Sequence, residues 1–296
     1  MKRVLVTGAS GFIGRQSLPF LVQNGYEVHA VSSGTKEIVK VKGVTWQAAN
    51  LLDEDERSRV MNQVKPTHVL HFAWIATPGE YWTSPLNEEW VEATVDLLRL
   101  AKEHGVKRFV GAGSSAEYDW ATDAPHVETE TLKPATPYGM AKAEAGTMVY
   151  NESMSTAWGR IFHLYGPYED GRRLVPDVIK NLLEGKEAAC THGAQVRDFL
   201  HVRDTASAFV SLLESDVTGA VNIASGTPVT IKQVVETIGR LIGKPELITL
   251  GKKEAPKNDP AVLTADTTRL RTEIGWQPSM TLEDGLNETI EWWKAE

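Results

Sequence analysis

Val4-Leu5-Val6-Thr7-Gly8-Ala9-Ser10-Gly11-Phe12-Ile13-Gly14 decides how this chain is read. Val4, Leu5 and Val6 form a short apolar, β-branched run, the mark of a buried strand. The run breaks into glycines and re-emerges as a helical pattern that puts Phe12, Ile13, Leu18 and Leu21 on one face. A strand, a glycine turn and a helix start suit a dinucleotide phosphate. Gly8, Gly11 and Gly14 let the backbone turn tightly and approach the pyrophosphate, and the helix N-terminus offers unpaired N–H groups. The spacing is GxxGxxG rather than GxGxxG. An ordinary tight turn between strand and helix is the alternative.

Outward from this stretch the pattern repeats. Asn24-Gly25 stops the helix, and Tyr26 to Val31 alternates as a second strand. Dinucleotide folds place an acid at the end of that strand for the adenosine ribose of NAD. Here Ser32-Ser33-Gly34 stands in its place, with Arg15 and Lys36 as nearby cations. Hydroxyls and a cation accept a 2′-phosphate that an acid would repel, so the position favours NADP(H), with NAD(H) as the alternative. A simple serine turn is the other reading. Val44 to Gln47, Thr67 to Ala73 and Arg108 to Gly113 read as further strands, and Asn87 to His104 as a helix. Such alternation predicts an α/β, Rossmann-type doubly wound parallel sheet.

Beyond residue 163 the texture changes. A loop rich in Asp, Gly and Arg precedes a helix over Pro176 to Leu183, and Arg197 to Val202 reads as a strand. Asp204 to Leu213 reads as a helix and Ala220 to Ala224 as a last strand. Ile231 to Ile242 and Leu282 to Trp293 read as helices, with Trp292 and Trp293 packing. The expected division is a dinucleotide-binding domain over 1–163 plus about 198–224. A smaller, discontinuous C-terminal α/β substrate domain takes 164–197 plus 225–296.

The chain has 296 residues, 42% hydrophobic and 24% charged, as globular proteins do, with a net charge of −8 that excludes a basic nucleic-acid footprint. One cysteine, Cys190, excludes an internal disulfide framework and fits a reducing compartment. No apolar run approaches the ~18 residues of a membrane span, and the first strand leaves no room for a signal peptide. The expectation is a cytoplasmic enzyme with no nucleic-acid or membrane partner and no metal.

Two later stretches carry chemistry. Tyr138-Gly139-Met140-Ala141-Lys142 places a phenol and an ammonium on one helical face. A cation beside the phenol lowers its pKa and fits it for proton transfer. Ser114-Ser115-Ala116-Glu117-Tyr118 lies just past the fifth strand, at the carboxyl edge where open α/β sheets bind ligands. A hydroxyl there reaches a substrate oxygen, or caps a helix.

Taken with Arg160-Ile161-Phe162-His163-Leu164-Tyr165-Gly166-Pro167 and Arg197-Asp198-Phe199-Leu200-His201-Val202, these motifs occur together and in order. Over almost its whole length the chain resembles the extended short-chain dehydrogenase/reductase family: nucleotide-sugar epimerases, dehydratases and 4-keto reductases. The resemblance implies that Tyr138 exchanges a proton with the sugar oxygen, while Lys142 holds the nicotinamide ribose and tunes the tyrosine. It makes Ser114, four residues before Tyr118, the catalytic hydroxyl, with Ser115 the close alternative. It places Gly8, Ser10, Gly11, Phe12, Ile13, Gly14, Arg15, Ser32, Ser33, Asn50, Leu51, Phe72, Ala73 and Phe162 along the cofactor. Ser114, Ser115, His163 and Arg197 meet the substrate, and Arg197 pairs with its pyrophosphate as guanidinium does; a surface ion pair is the other reading of Arg197. A homodimer through the Asn87 and Tyr138 helices is also implied.

Four departures narrow the reaction. Ser115 and Ala116 stand where family dehydratases carry acids, which argues against water elimination. His163 replaces a substrate-contacting asparagine, Asn50 an aspartate near the adenine, and Trp90 a helix asparagine. The expected reaction is NADPH-dependent reduction of a nucleotide-linked 4-keto-6-deoxyhexose. An NAD-dependent 4-epimerase is the alternative, and a non-catalytic nucleotide-sensing regulator the remote one. The aromatic insertion Trp74 to Trp82 either borders the sugar pocket or packs as a loop.

Overall fold

The computed structural model describes residues 2–34, 38, 40–256 and 259–296. The first strand, β1 (Arg3–Thr7), is buried on both faces from Val4 to Thr7, which is why its apolar run is continuous rather than alternating. After the glycine turn, α1 (Phe12–Gln23) buries Gly14, Ser17, Leu18 and Leu21. Phe12 and Ile13 do not share that burial as their spacing suggests; they sit partly exposed at the turn itself. Asn24 caps the helix and Gly25 turns out with φ +75°. Then come β2 (Glu27–Ser32), β3 (Val44–Ala48) and α2 (Glu54–Val64), whose N-terminus the Asp53 carboxylate caps by accepting from Glu56 N–H at 3.2 Å. β4 (His68–His71), α3 (Leu86–Glu103), β5 (Arg108–Ser114), α4 (Pro137–Tyr150) and β6 (Ser155–Ile161) complete the first part.

β7 (His163–Tyr165), α5 (Leu174–Leu183), β8 (Ala188–Ala189) and β9 (Val196–His201) follow, then α6 (Val202–Glu214) and β10 (Gly219–Ile223). The chain ends with β11 (Pro228–Thr230), α7 (Ile231–Ile242), β12 (Ile248–Thr249), β13 (Val262–Leu263), α8 (Thr268–Thr272) and α9 (Leu282–Ala295).

Among the described residues, seven strands form one parallel sheet in the order β10-β6-β5-β4-β1-β2-β3. α1 and α6 cover one face through Leu18, Leu21, Phe209 and Leu213, and α2, α3 and α4 the other through Val60, Leu97 and Ala145. Helices on both faces make the sheet doubly wound. Its order reverses between β1 and β4, which opens a crevice at the carboxyl ends, where Gly8 and Ala73 stand.

A second sheet is built around β9, which pairs parallel with β7 and β13 and antiparallel with β11. α5, α7 and α9 cover it with Val178, Ile179, Leu182, Val234, Ile238, Leu286 and Ile290. The division expected from sequence put the chain from about 198 with the large sheet. α6 and β10 lie there, whereas β9 pairs in the small one. No loop separates them, since His201 ends β9 and itself caps α6.

Candidate active site

The turn after β1 is built for an anion. Gly8 adopts φ +62°, and a Cβ there would lie 2.7 Å from the Ala73 nitrogen. A Cβ on Gly14 would overlap the Gly8 carbonyl oxygen, so only glycine lets α1 start this close to β1. Among the described residues no side chain caps α1, and its first turn carries no acid. The open N–H groups and helix dipole of this cradle fit the pyrophosphate of a nicotinamide dinucleotide.

The other residues that the sequence assigns to the cofactor have varied surroundings. Ser10 and Ser32 join hydroxyls at 3.0 Å, and Ser32 also accepts from Gly34 N–H at 3.2 Å, so this buried serine faces inward. Ser33 is exposed. Arg15 donates to the Ser10 carbonyl at 3.2 Å and lies 4.2 Å over the Tyr168 ring. Lys36 lies outside the described residues. Asn50 accepts from Leu52 N–H at 3.2 Å, and Leu51 is buried. Phe72 meets Phe209 edge-on at 5.0 Å, and Ala73 N–H donates to the Thr7 hydroxyl at 3.2 Å. Phe162 is buried, 6.0 Å from the Tyr118 ring.

Ser114 ends β5 and caps a 3₁₀ turn, Ser115–Glu117. Its hydroxyl accepts from Ala116 N–H at 3.1 Å, while its own N–H donates to Glu117 at 2.8 Å. Glu117 is fully buried and further accepts from Trp158 at 2.9 Å and Arg160 at 2.7 Å. Its carboxylate is thus engaged in structure. Tyr138 lies in the first turn of α4, fixed by the Thr136 cap and by its own N–H donating to the Trp82 carbonyl at 3.1 Å. Ser114 lies close enough to the phenol to lower its pKa. Burial holds the Tyr138 pKa above its ordinary value, aided by Tyr81 and Glu117 and opposed by Ser114 and Arg173.

Lys142 is buried and donates to the Ala112 carbonyl at 2.9 Å, with its nitrogen 3.6 Å from the centre of the Trp74 ring and 6.0 Å from that of Tyr138. Burial pulls its pKa down to about 7, against the pull of Glu117. The spacing predicts an ammonium that lowers the phenol's pKa. In the structure that ammonium is turned to Ala112 and Trp74, and the groups acting on Tyr138 are those named above.

The aromatic insertion named from sequence lies against Tyr138, and Arg173 is the residue that sequence did not single out. Tyr81 meets Tyr138 edge-on at 4.8 Å, Trp82 does so at 5.6 Å, and Trp82 in turn meets Trp120 at 5.9 Å. The insertion therefore both packs and reaches Tyr138. Arg173 caps α5 and lies 5.2 Å over the Tyr81 ring. Its only signal in sequence is a basic pair ahead of a helix. His163 is held neutral, its pKa pushed down to about 3 by burial and then by Arg197 and Arg173. Its Nδ1 has no partner among the described residues. Arg197 is buried and donates to Asp259 at 2.6 Å and to the carbonyls of Pro260 and Val196 at 2.7 and 2.8 Å. It is an ion pair, but not a surface one. Ser115 is buried, its carbonyl accepting from Trp120 at 3.2 Å. Among the described residues no cluster of three or more His, Cys, Asp or Glu could hold a metal ion, and no helix is long and apolar enough to cross a membrane.

Comparison with known proteins gives a consistent picture. A family model described as NAD dependent epimerase/dehydratase matches residues 4–224. A UDP-glucose 4-epimerase of Streptomyces lividans is 28% identical over 320 aligned residues, covering 98% of this chain and 95% of its own. The structure of dTDP-glucose 4,6-dehydratase from Bacillus anthracis in complex with NAD superposes with a TM-score of 0.88 at 25% identity, covering 100% of this chain and 97% of that one. UDP-N-acetylglucosamine 4-epimerase from Methanobrevibacter ruminantium superposes with a TM-score of 0.89 at 25% identity, covering 99% of this chain and 98% of that one.

Proposed function

The chain belongs to the NAD-dependent epimerase/dehydratase family of extended short-chain dehydrogenases/reductases, enzymes of nucleotide-sugar chemistry, and within it we propose that this protein reduces a nucleotide-linked 4-keto-6-deoxyhexose. The observation that carries the reading is the placement of Tyr138 in the first turn of α4, edge-on to Tyr81 and Trp82 and beside Ser114, with burial keeping its phenol protonated. A proton donor is what reduction needs, whereas oxidation needs a base in the same place. A bound NADPH supplies hydride to the carbonyl carbon. Tyr138 gives its proton to the carbonyl oxygen, and the Ser114 hydroxyl steadies first that oxygen and then the phenolate. Lys142, when charged, adds a cation to the same face of α4. Arg197, with Arg173 and His163 nearby, offers the substrate's phosphates a positive pocket once Asp259 yields.

Dehydration is disfavoured because Ser115 and Ala116 carry no acid and Glu117 is locked to Arg160. The 4-epimerase reading is favoured by the Streptomyces lividans relative and uses the same Ser114, Tyr138 and Lys142. For the cofactor, exposed Ser33 at the end of β2 stands where an acid would reject a 2′-phosphate, which supports NADP(H). We further assign β1–β6, α6 and β10 to the cofactor and the small sheet with α5, α7 and α9 to the nucleotide sugar.

The test is to denature the purified protein, identify any released nucleotide by absorbance and mass, and titrate the emptied protein with NADPH and NADH. Selective NADPH binding followed by turnover of 4-keto sugar nucleotides is the expected result. Co-purifying NAD with no preference for NADPH would overturn the reductase and leave the epimerase.

A further inference from the structure

The Lys142 ammonium has an unusual surrounding. It is 4% exposed. Glu117, on the 3₁₀ turn, is the carboxylate acting on it, yet both Glu117 oxygens are engaged by Ser114 N–H, Trp158 and Arg160. From β4, His71 faces it as a neutral ring, bonded to Thr7 at 2.7 Å and Thr94 at 3.0 Å. From α4 comes the Tyr138 phenol, and from β6 the Trp158 ring at 5.6 Å, with Arg160 bound to Glu117 behind it. Against the ammonium lie the Ala112 carbonyl, which accepts from it at 2.9 Å, and the face of Trp74, at 3.6 Å.

That indole is clamped. Its Nε1 donates to Asn87 Oδ1 at 2.9 Å, and its ring stacks on Trp90 at 6.3 Å and 26°. Asn87 is buried, and its Nδ2 donates to the Tyr81 and Ser84 carbonyls at 2.7 and 3.0 Å, so one amide ties down both Trp74 and the loop whose Tyr81 ring meets Tyr138. An aromatic face attracts a cation through its quadrupole, most strongly where water is excluded.

We propose that Trp74, held by Asn87 and Trp90, is the positioning residue of Lys142: its indole face fixes the ammonium in place and keeps it charged. Burial alone draws the lysine towards neutrality near pH 7. The indole opposes that loss, and so preserves the cation that serves Tyr138. The inference rests on Lys142 having that role in the reading above, but its test does not need the reaction.

The whole chain labelled with 5-fluorotryptophan is titrated by fluorine NMR from pH 6 to 9.5 without substrate. The Trp74 resonance is the one missing from Trp74→Phe. A single step in its shift, centred above pH 7, that vanishes in Lys142→Met is the expected result, and a step centred at or below pH 7 overturns the proposal. A flat resonance, or a step that persists in Lys142→Met, overturns the proposal. Where turnover of a 4-keto sugar nucleotide is observed, Trp74→Leu should lose at least fivefold more kcat/KM at pH 8.5 than at pH 6.5, and Trp74→Tyr should restore most of it. An equal loss at both pH values would mark Trp74 as structural only and overturn the proposal. Absent turnover in the unaltered protein would fail the reductase reading and leave the titration to decide.

Discussion

In the proposed reaction Tyr138 is the proton donor, a phenol whose pKa burial raises while Ser114 and Arg173 lower it. Removing its hydroxyl in Tyr138→Phe should lower kcat by about 10²–10⁴-fold, the usual contribution of a positioned acid, with KM and the thermal midpoint little changed. Steady-state kinetics beside a melting curve checks both halves. At this scale sequence reading placed residues well where the stretch is local. The Tyr138–Lys142 spacing and the Gly8–Gly14 turn lie within one element junction each. It left the role of the insertion over 74–82 open and missed Arg173, because each reaches Tyr138 or its neighbours through folding of distant segments; Arg173 touches Tyr81 from 92 positions away. Nor does spacing reveal that Lys142 turns to Trp74, since the choice between two partners on one side of a helix is made by packing.

The 3₁₀ turn after β5 is held to β6 by a buried ion pair between Glu117 and Arg160 at 2.7 Å, with Arg160 also donating to the Tyr118 hydroxyl at 3.1 Å. Tyr118 passes the chain of bonds to Asn222 on β10 at 2.6 Å. Glu117→Gln leaves the guanidinium buried without its counter-charge, which should cost about 3–5 kcal/mol. Urea denaturation reads that loss, and a midpoint equal to that of the unaltered protein would show the pair to be dispensable. The same pair explains why β6 is faint in sequence. Ser155-Thr156-Ala157-Trp158-Gly159-Arg160-Ile161 lacks an apolar run, because Gly159 makes room for Phe209 and Arg160 is buried only by virtue of Glu117. β7, β11 and β13 span two or three residues each and exist by pairing with β9, so no periodicity could announce them. α7, by contrast, was legible to the residue, from Thr230 with its capping box to Gly243 in the left-handed conformation.

For the molecule as a whole, one buried and two half-buried histidines carry a response to acid. Burial depresses His68 to about 4 and both His71 and His163 to about 3. Unfolded, each titrates near 6.5. Their contribution to stability is therefore complete above pH 6.5 and is lost as pH falls towards 4 and 3, by up to about 1.4 kcal/mol per unit for each. Glu169 works the other way: raised to about 8 by burial, it opposes stability as pH rises from 4.5 to 8. Glu128 and Asp198, raised by burial, act with Glu169, and His201, lowered by burial, acts with the other histidines. With the four histidines dominant, the urea midpoint should fall between pH 7 and 5, and His163→Asn should flatten the slope. On the surface, α4 exposes Met140 and Met148 beside α3. Apolar side chains so placed suit a helix-to-helix contact between two copies, and Met140→Lys with Met148→Glu should yield a monomer by light scattering. The parallel α/β fold itself was legible, because strands and helices alternate along the chain, but the strand order was not. β10 hydrogen-bonds to β6 and ends the sheet, although 62 positions separate Ile161 from Ile223 in the chain. A ribosome adding about 5–20 residues per second leaves β6 as a naked sheet edge for roughly 3–12 s before its neighbour is made. During that interval the growing polypeptide offers unpaired N–H and C=O groups to any strand nearby. Yield in the cell should therefore depend on the translation speed of this one segment and on chaperones that shield it, even where the finished protein is stable.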